Sequence, residues 1–388
     1  MRMDGRVQID RFAVKNFRSI VECDVQLDPL TFFTGANASG KTSFVAAILF
    51  VASALRTSLA RAVADRGGIQ SILHHPIALP ASSVFDFYVS SSAGVRAKFC
   101  LELKIVDGWS VSITREECVI DDPKNGHHFY SSDGKSVLGS SAVFPAVSID
   151  RIFLSNASGL PEFRPLFEFM VSLGSAEPTW PSVYLMLQKV NGWLRRLDPT
   201  AEDTTLAARF RKLQTSQPDR FEIIQQYLRA IAPPFDHIEV VESAEMLWLS
   251  FVETSPSGVS MPFYVSQASA GVVNAAEILL GLFERPAEGK PASVVIIEEP
   301  EAFLHPGAIQ VLRDSFIEAS KSRQVLVTTH SSDLLDDPAV PAESIRCVYR
   351  DETGTHIDVL DDGTKSVLRD QLYTAGQLLR HGGLTLAS

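Results

Sequence analysis

Thr31-Phe32-Phe33-Thr34-Gly35-Ala36-Asn37-Ala38-Ser39-Gly40-Lys41-Thr42-Ser43 is the stretch on which the reading of this chain turns. It places Gly35 ahead of Gly40-Lys41-Thr42 with four residues between. An apolar run precedes it and Phe44-Val45-Ala46-Ala47-Ile48-Leu49-Phe50-Val51 follows. Strand, glycine loop and helix in that order form the setting in which this spacing cradles phosphate. The backbone from Gly35 through Asn37, Ala38, Ser39 and Gly40 to Ser43 can curl so that successive N–H groups point inward, and the following helix adds the positive end of its dipole. Lys41 suits the terminal phosphates and the Thr42 hydroxyl suits Mg²⁺. A plain helix-capping loop would leave the lysine and threonine unexplained, so a nucleotide with Mg²⁺ is the expected ligand.

Upstream, Val7 to Val14 and Val21 to Leu27 alternate apolar and polar residues as strands do, and Leu30 to Phe33 leads into the loop. Between the first two lies Lys15-Asn16-Phe17-Arg18-Ser19-Ile20. This opening, joined to the glycine loop, resembles the ABC-type ATPase heads of the SMC, RecF and OLD superfamily, especially the small AAA-labelled ATPases of bacterial defence systems. The resemblance covers roughly residues 7–120 and 237–350. It implies an α/β fold: an ABC-type P-loop ATPase head with an antiparallel β subdomain and an α-helical insertion, taking ATP and Mg²⁺. It also places Lys15 and Asn16 at the nucleotide.

Downstream, Ser43 to Ala64 reads as one apolar helix ended by Arg66-Gly67-Gly68. Phe85 to Val89, Val95 to Ile105 and Trp109 to Thr114 alternate at period two around turn residues and predict an antiparallel meander, with Asp121 to Ser141 as hairpin tips and loop. Pro161 to Leu173, Trp180 to Leu197 and Leu206 to Ile231 have apolar residues at helical spacing, broken by Pro-containing joints and without a heptad run long enough for a coiled coil. Strands resume at Ile238 to Val241 and Met246 to Val252, and strand–helix alternation continues to about Leu360. The expected divisions are an ATPase lobe over 1–158, a helical insertion over 159–236, a second ATPase lobe over 237–360 and a tail over 361–388.

Ser293-Val294-Val295-Ile296-Ile297-Glu298-Glu299-Pro300-Glu301 reads as a buried central strand that carries acids to its C-terminal edge, where α/β sheets bind ligands. The resemblance makes this the Walker B strand, with Glu298 toward the metal and Glu299 as general base. Aspartate is usual at position 298, and the extra methylene of glutamate changes the reach toward the metal. Arg323 to Asp333 contains an apolar strand ending in His330, the switch histidine of the resembled proteins. Ser269-Ala270-Gly271 opens an apolar helix and resembles a degenerate signature motif, which in such proteins meets ATP held by a second subunit. That implies a head-to-tail homodimer or higher oligomer. The glutamine-loop equivalent has two candidates, Gln70 and Asn156; Asn156 follows a strand-like Ile149 to Leu154 and is the preferred metal-side residue.

The envelope narrows the function. A net charge of -11 disfavours a surface built to attract nucleic acid. Cys23, Cys100, Cys118 and Cys347 lie far apart without CxxC spacing, as buried thiols of a reducing compartment do. With no apolar run long enough to span a bilayer, a cytoplasmic protein without membrane contact is expected. The stretch after His330 carries no acidic metal cluster, so no Toprim nuclease is expected within this sequence. These features favour an ATP-hydrolysing sensor or scaffold of a bacterial antiphage or toxin–antitoxin system that controls a separately encoded effector. The competing expectation is a RecF/SMC-like ATPase that clamps DNA in repair or recombination.

Overall fold

The computed structural model describes residues 6–74, 81–106, 110–141, 143–147, 151–173, 206–243, 246–265, 267–285, 294–382 and 384. The helix expected within Trp180 to Leu197, and the Trp109, Ile149, Ser266 and Ser293 positions, lie outside the described residues.

Strands β1 (Val7–Phe17) and β2 (Ile20–Gln26) form a hairpin, and β3 (Leu30–Thr34) then crosses to a different sheet. Burial along β1 puts Val7, Ile9, Phe12, Val14 and Phe17 inside; the alternation holds from Val7 to Ile9 and from Phe12 to Val14 and is shifted by one residue at an irregularity between Ile9 and Arg11. Helix α1 (Lys41–Arg56) follows the glycine loop and α2 (Leu59–Ala64) follows it. The single helix expected over 43–64 is thus two. The Thr57 hydroxyl donates to Ser53 O at 2.8 Å, and Ser58 Oγ accepts the Arg61 N–H at 3.2 Å to cap the second helix. Such side-chain hydrogen bonds offer the backbone an alternative to a continuing helix.

The meander then adds β4 (Ala81–Ser91), β5 (Arg96–Val106), β6 (Ser110–Asp122), β7 (Gly126–Ser132) and β8 (Val137–Gly139). The resulting antiparallel sheet runs β2-β1-β4-β5-β6-β7-β8. It extends into the stretch expected as loop, because Ile120 and Tyr130 have an apolar face to bury. Helix α3 (Phe153–Ala157) takes the last two residues of the strand expected over 149–154, whose first two lie outside the described residues, and α4 (Arg164–Ser172) packs beside α1.

Helices α5 (Leu206–Ser216) and α6 (Pro218–Ile231) precede a three-stranded antiparallel sheet of β9 (Phe235–Ser243), β10 (Met246–Thr254) and β11 (Ser260–Tyr264). Helix α7 (Ala270–Phe283) leads to β12 (Val295–Glu298), α8 (Pro306–Ser320) and β13 (Val325–Thr329). Strands β14 (Ile345–Asp351) and β15 (Gly354–Val359) close an antiparallel hairpin, followed by α9 (Asp362–Arg369) and α10 (Ala375–Arg380). The central sheet has the order β12-β13-β3-β14-β15, parallel except for β15.

Helix α1 is wedged between the two larger sheets. Its Phe44 ring lies 5.3 Å from Phe12 on one side and 5.1 Å from Phe33 on the other, and Phe50 lies 5.8 Å from Phe17. Each fully buried ring contributes about 1.5–3 kcal/mol, so the start of α1 is firmly placed. Buried Gln324 ties the sheets together: its Oε1 accepts the Ile9 N–H at 2.8 Å, while its Nε2 donates to Ile9 O and Asp28 O. A second core gathers α5 to α8 on the other face of the parallel sheet. There α5 and α6 are held against α7 by the Arg209–Glu284 ion pair at 2.7 Å and by stacked Tyr227 and Phe283.

Candidate functional site

Five fully buried residues of β3 set the entry to the glycine loop. The loop turns through left-handed Ala38 (φ 62°) and Gly40 (φ 112°), and the β14–β15 hairpin lies directly against it. A Cβ on Gly35 would sit 2.0 Å from Val348 O, and one on Gly40 would sit 2.1 Å from Thr355 Oγ1. Only glycine fits either place.

Lys41 is 4% exposed, and its ammonium donates to Gly35 O at 2.8 Å and Ala36 O at 2.9 Å. Burial lowers its pKa from the ordinary lysine value, opposed by Glu299 and Glu301. A cavity of about 250 Å³ opens here, lined by Ala38, Ser39, Gly40, Lys41, Thr42, Ser43, Ser19, Glu299 and Arg350. Phosphate fits this donor set. Ser39 Oγ is buried without a hydrogen-bond partner among the described residues, and a phosphate oxygen can replace the two carbonyls on the lysine. Asn37 lies exposed on the loop, outside the cavity lining.

Across the cavity, parallel pairing of β12 with β13 sets Glu298 beside Thr328. The next residue, Glu299, has φ 45°, a left-handed conformation costly for a side chain with a Cβ. Its N–H is held by Thr328 O at 2.9 Å, which turns the carboxylate toward the loop. His330 follows β13, with its Nδ1 3.7 Å from Glu299 Oε1 and 3.3 Å from Glu301 Oε1. Glu301 is nearly buried, and its Oε1 accepts from the Thr329 hydroxyl and the N–H groups of His330 and Ser331.

Beyond His330, helix α10 clasps the chain. Arg380 reaches Ser332, Asp333 and Asp336, and the Thr374 hydroxyl donates to Asp336. Contact is close enough that a Cβ on Gly376 would lie 2.2 Å from Ser332 O.

Ser269 caps α7, its Oγ accepting the Val272 N–H at 3.3 Å. Gly271 lets the turn after β12 approach, since a Cβ there would sit 2.6 Å from Phe303 O. Ser269 is exposed, and neither residue lines the cavity of its own chain.

Three further candidates stand away from the cavity. Lys15 pairs with Glu22 at 2.6 Å on an exposed strand face. Asn16, in a left-handed turn, donates to Ser82 O at 2.7 Å. Asn156 lies on α3 and donates to Ala146 O at 2.8 Å; of the strand expected over 149–154, Phe153 and Leu154 belong to this helix. Gln70 lies in a short 3₁₀ turn.

The motif containing Lys15 and Asn16 reaches the site through its next residues instead. Ser19 Oγ donates to Ser43 Oγ at 2.9 Å, and half-buried Arg18 feels the charge of Glu298, which opposes the lowering of its pKa by burial. Ser19, Arg18, Glu301 and Arg350 are the residues that sequence reasoning missed. The Phe17-Arg18-Ser19 string beside two chosen residues was the available signal for the first two.

Comparison with known proteins places this geometry. The sequence profile described as "AAA domain, putative AbiEii toxin, Type IV TA system" matches residues 30–337, well over half of the chain. The chain belongs to this family. Its glycine loop is thus the P-loop of an AAA-family ATPase. It is similar to the Old nuclease of Escherichia phage P2, with 32% identity over 106 residues, 27% of this chain and 17% of the phage protein.

Among solved structures, a SmcHead bound to the C-winged helix domain of ScpA superposes with a TM-score of 0.56 at 13% identity, covering 92% of this chain and 99% of the other. A Pyrococcus furiosus Smc head with an extended coiled coil, bound to the C-terminal domain of ScpA, gives 0.53 at 12% identity over 94% and 99%. These likenesses show the fold. Among the described residues, no helix is long and apolar enough to cross a membrane.

Proposed function

We propose that this AAA-family protein binds ATP at the start of α1 and hydrolyses it to ADP and phosphate. In this reading ATP draws two copies together head-to-tail, forming a switch that governs a separately encoded effector in an antiphage or toxin–antitoxin system. The single observation that carries the proposal is that the glycine loop with Lys41 and the carboxylate of Glu299 line one cavity.

Lys41 and the loop N–H groups grip the β- and γ-phosphates. Glu299 accepts the proton of the attacking water, and His330 stands beside Glu299, its Nδ1 3.7 Å from Oε1. Mg²⁺ would be held by the Thr42 hydroxyl and by Glu298, where it would draw charge from the phosphates. Exposed Ser269 at the head of α7 suits the γ-phosphate held by the second copy. The AbiEii and Type IV toxin–antitoxin description of the family and the similarity to a phage Old nuclease support the defence setting.

The test compares Lys41→Ala with Glu299→Gln. Lys41→Ala should lose nucleotide binding. Glu299→Gln should keep it while phosphate release falls about 10²–10⁴-fold, and an ATP-stabilised dimer should accumulate on size exclusion. Unchanged turnover in Glu299→Gln would remove it as the base. Co-purification with the neighbouring gene product tests the effector. Salt-dependent retention of duplex DNA by the ATP-bound form would instead favour a DNA clamp.

A further inference from the structure

Register fixes where Arg350 lies along the cavity. It pairs directly with Thr355 across the β14–β15 hairpin, so the two side chains share one face. The Thr355 hydroxyl points at the flank of the glycine loop, donating to Ser39 O at 2.9 Å and toward Ser19 Oγ at 2.8 Å. Ser19 in turn bonds Ser43. Lys41 and Glu299 suit the terminal phosphates, and Ser19 and Ser43 line the same cavity on the side of the loop that the hairpin covers.

Arg350 lines the cavity at that flank, exposed, and makes no hydrogen bond or ion pair among the described residues. The other arginines of this region are engaged. Arg346, four residues earlier on the same strand, is buried and bound to Asp28 and Gln26 O, while Arg18 lies over the Phe17 ring. A guanidinium offers up to five donors in a planar fork and matches phosphate oxygens better than any other side chain.

We infer that Arg350 is a nucleotide-binding residue that grips the α-phosphate and ribose side of the ligand, from the hairpin that covers the glycine loop. This rests on the proposed nucleotide site and adds to it a contact from the far end of the fold. The contact is one that AMP, ADP and ATP all make and that pyrophosphate cannot.

Competition titration against a fluorescent ATP analogue tests the assignment with four ligands: ATP, ADP, AMP and pyrophosphate. In Arg350→Ala the three nucleotides should each weaken by about tenfold or more, the loss expected of a hydrogen bond to a charged group. Pyrophosphate should compete as it does with the unaltered protein. Arg350→Lys, which keeps the charge but not the fork, should fall between. Unaltered nucleotide affinity in Arg350→Ala would overturn the inference. So would loss confined to ATP, which would move the residue to the γ-phosphate end, or an equal loss of pyrophosphate, which would mean a general disturbance of the loop. If the unaltered protein bound no nucleotide, the functional proposal itself would fall; where it does bind, Lys41→Ala should weaken ATP, ADP and pyrophosphate, which identifies the glycine loop as the site being read.

Discussion

The N–H of His330 donates to Glu301 Oε1 at 2.9 Å, and the imidazole of the same residue stands 3.3 Å from that oxygen. One nearly buried carboxylate thus fixes both the backbone and the ring of the histidine beside Glu299. The Thr329 hydroxyl and the Ser331 N–H converge on it as well.

Glu301→Ala should therefore lower kcat for phosphate release at least about tenfold, because bonds to a charged acceptor are worth roughly 1.5–3 kcal/mol each. Binding of ATP should change much less, since Lys41 and the loop are untouched. Glu301→Gln, which keeps an acceptor oxygen, should retain more activity than Glu301→Ala. Steady-state phosphate release beside nucleotide titration reads the split, and equal losses of affinity and turnover would count against a positioning role.

Ser269 and Lys41 should complement each other across subunits. A chain with Lys41→Ala and a chain with Ser269→Arg are each expected to be inactive alone. Mixed, they form heterodimers with one intact composite site, and activity should return to at most about half of the unaltered level. Silent mixtures, despite heterodimers demonstrated by differential tagging, would refute the shared site.

Gly271→Ala carries a steric prediction. The added methyl would meet Phe303 O at 2.6 Å, so the turn between β12 and α8 must move. A cost of about 1–3 kcal/mol follows from overpacking, read as a lowered Tm. Phosphate release should fall too, because the displaced turn also carries Glu301. A Tm unchanged within error would show that the turn yields freely.

Glu116 gives the protein a pH dependence. It is fully buried beneath the meander, where its carboxylate accepts from Tyr130 Oη and the N–H groups of Phe153 and Leu154. Burial pushes its pKa up to about 7, with the three hydrogen bonds opposing. The unfolded chain releases this proton near pH ~4.3. Between there and pH about 7 the folded protein binds more protons than the unfolded one, so stability falls as pH rises through that window and levels above it. Thermal melts from pH 5 to 8 should show the unaltered protein losing Tm relative to Glu116→Gln. A constant difference would contradict the assignment.

The glycine loop was legible because every part of it is local: strand, loop, Lys41, Thr42 and helix follow one another without a gap. The strands were legible where one face is buried, as along β1. The Glu298–Glu299 and His330 strand ends were legible because parallel strands deliver their C-terminal ends to one edge. Glu301 and Arg350 were not, because their places depend on partners distant in sequence: Glu301 meets Thr329 across 28 residues, and Thr355 beside Arg350 meets Ser39 across 316. The helix break at Thr57 escaped because a threonine hydroxyl bonding back one turn leaves no mark on apolar periodicity. Lys15 and Asn16 were chosen from the right motif, yet strand alternation turns Lys15 outward, while Ser19, just past left-handed Asn16 and Arg18, meets Ser43 at the loop.

The clasp of Arg380 and Thr374 on the residues after His330 makes one end of the fold a party to whatever happens at the other. Coupling of this kind runs both ways. Any protein that grips α10 and lifts it must work against the geometry the histidine holds, and any nucleotide state that shifts the histidine must alter the grip. Helix α10 is thereby a handle as well as a fastening. Amide exchange across 374–380 becomes a readout of the phosphate cavity, taken from a surface that the ligand never touches.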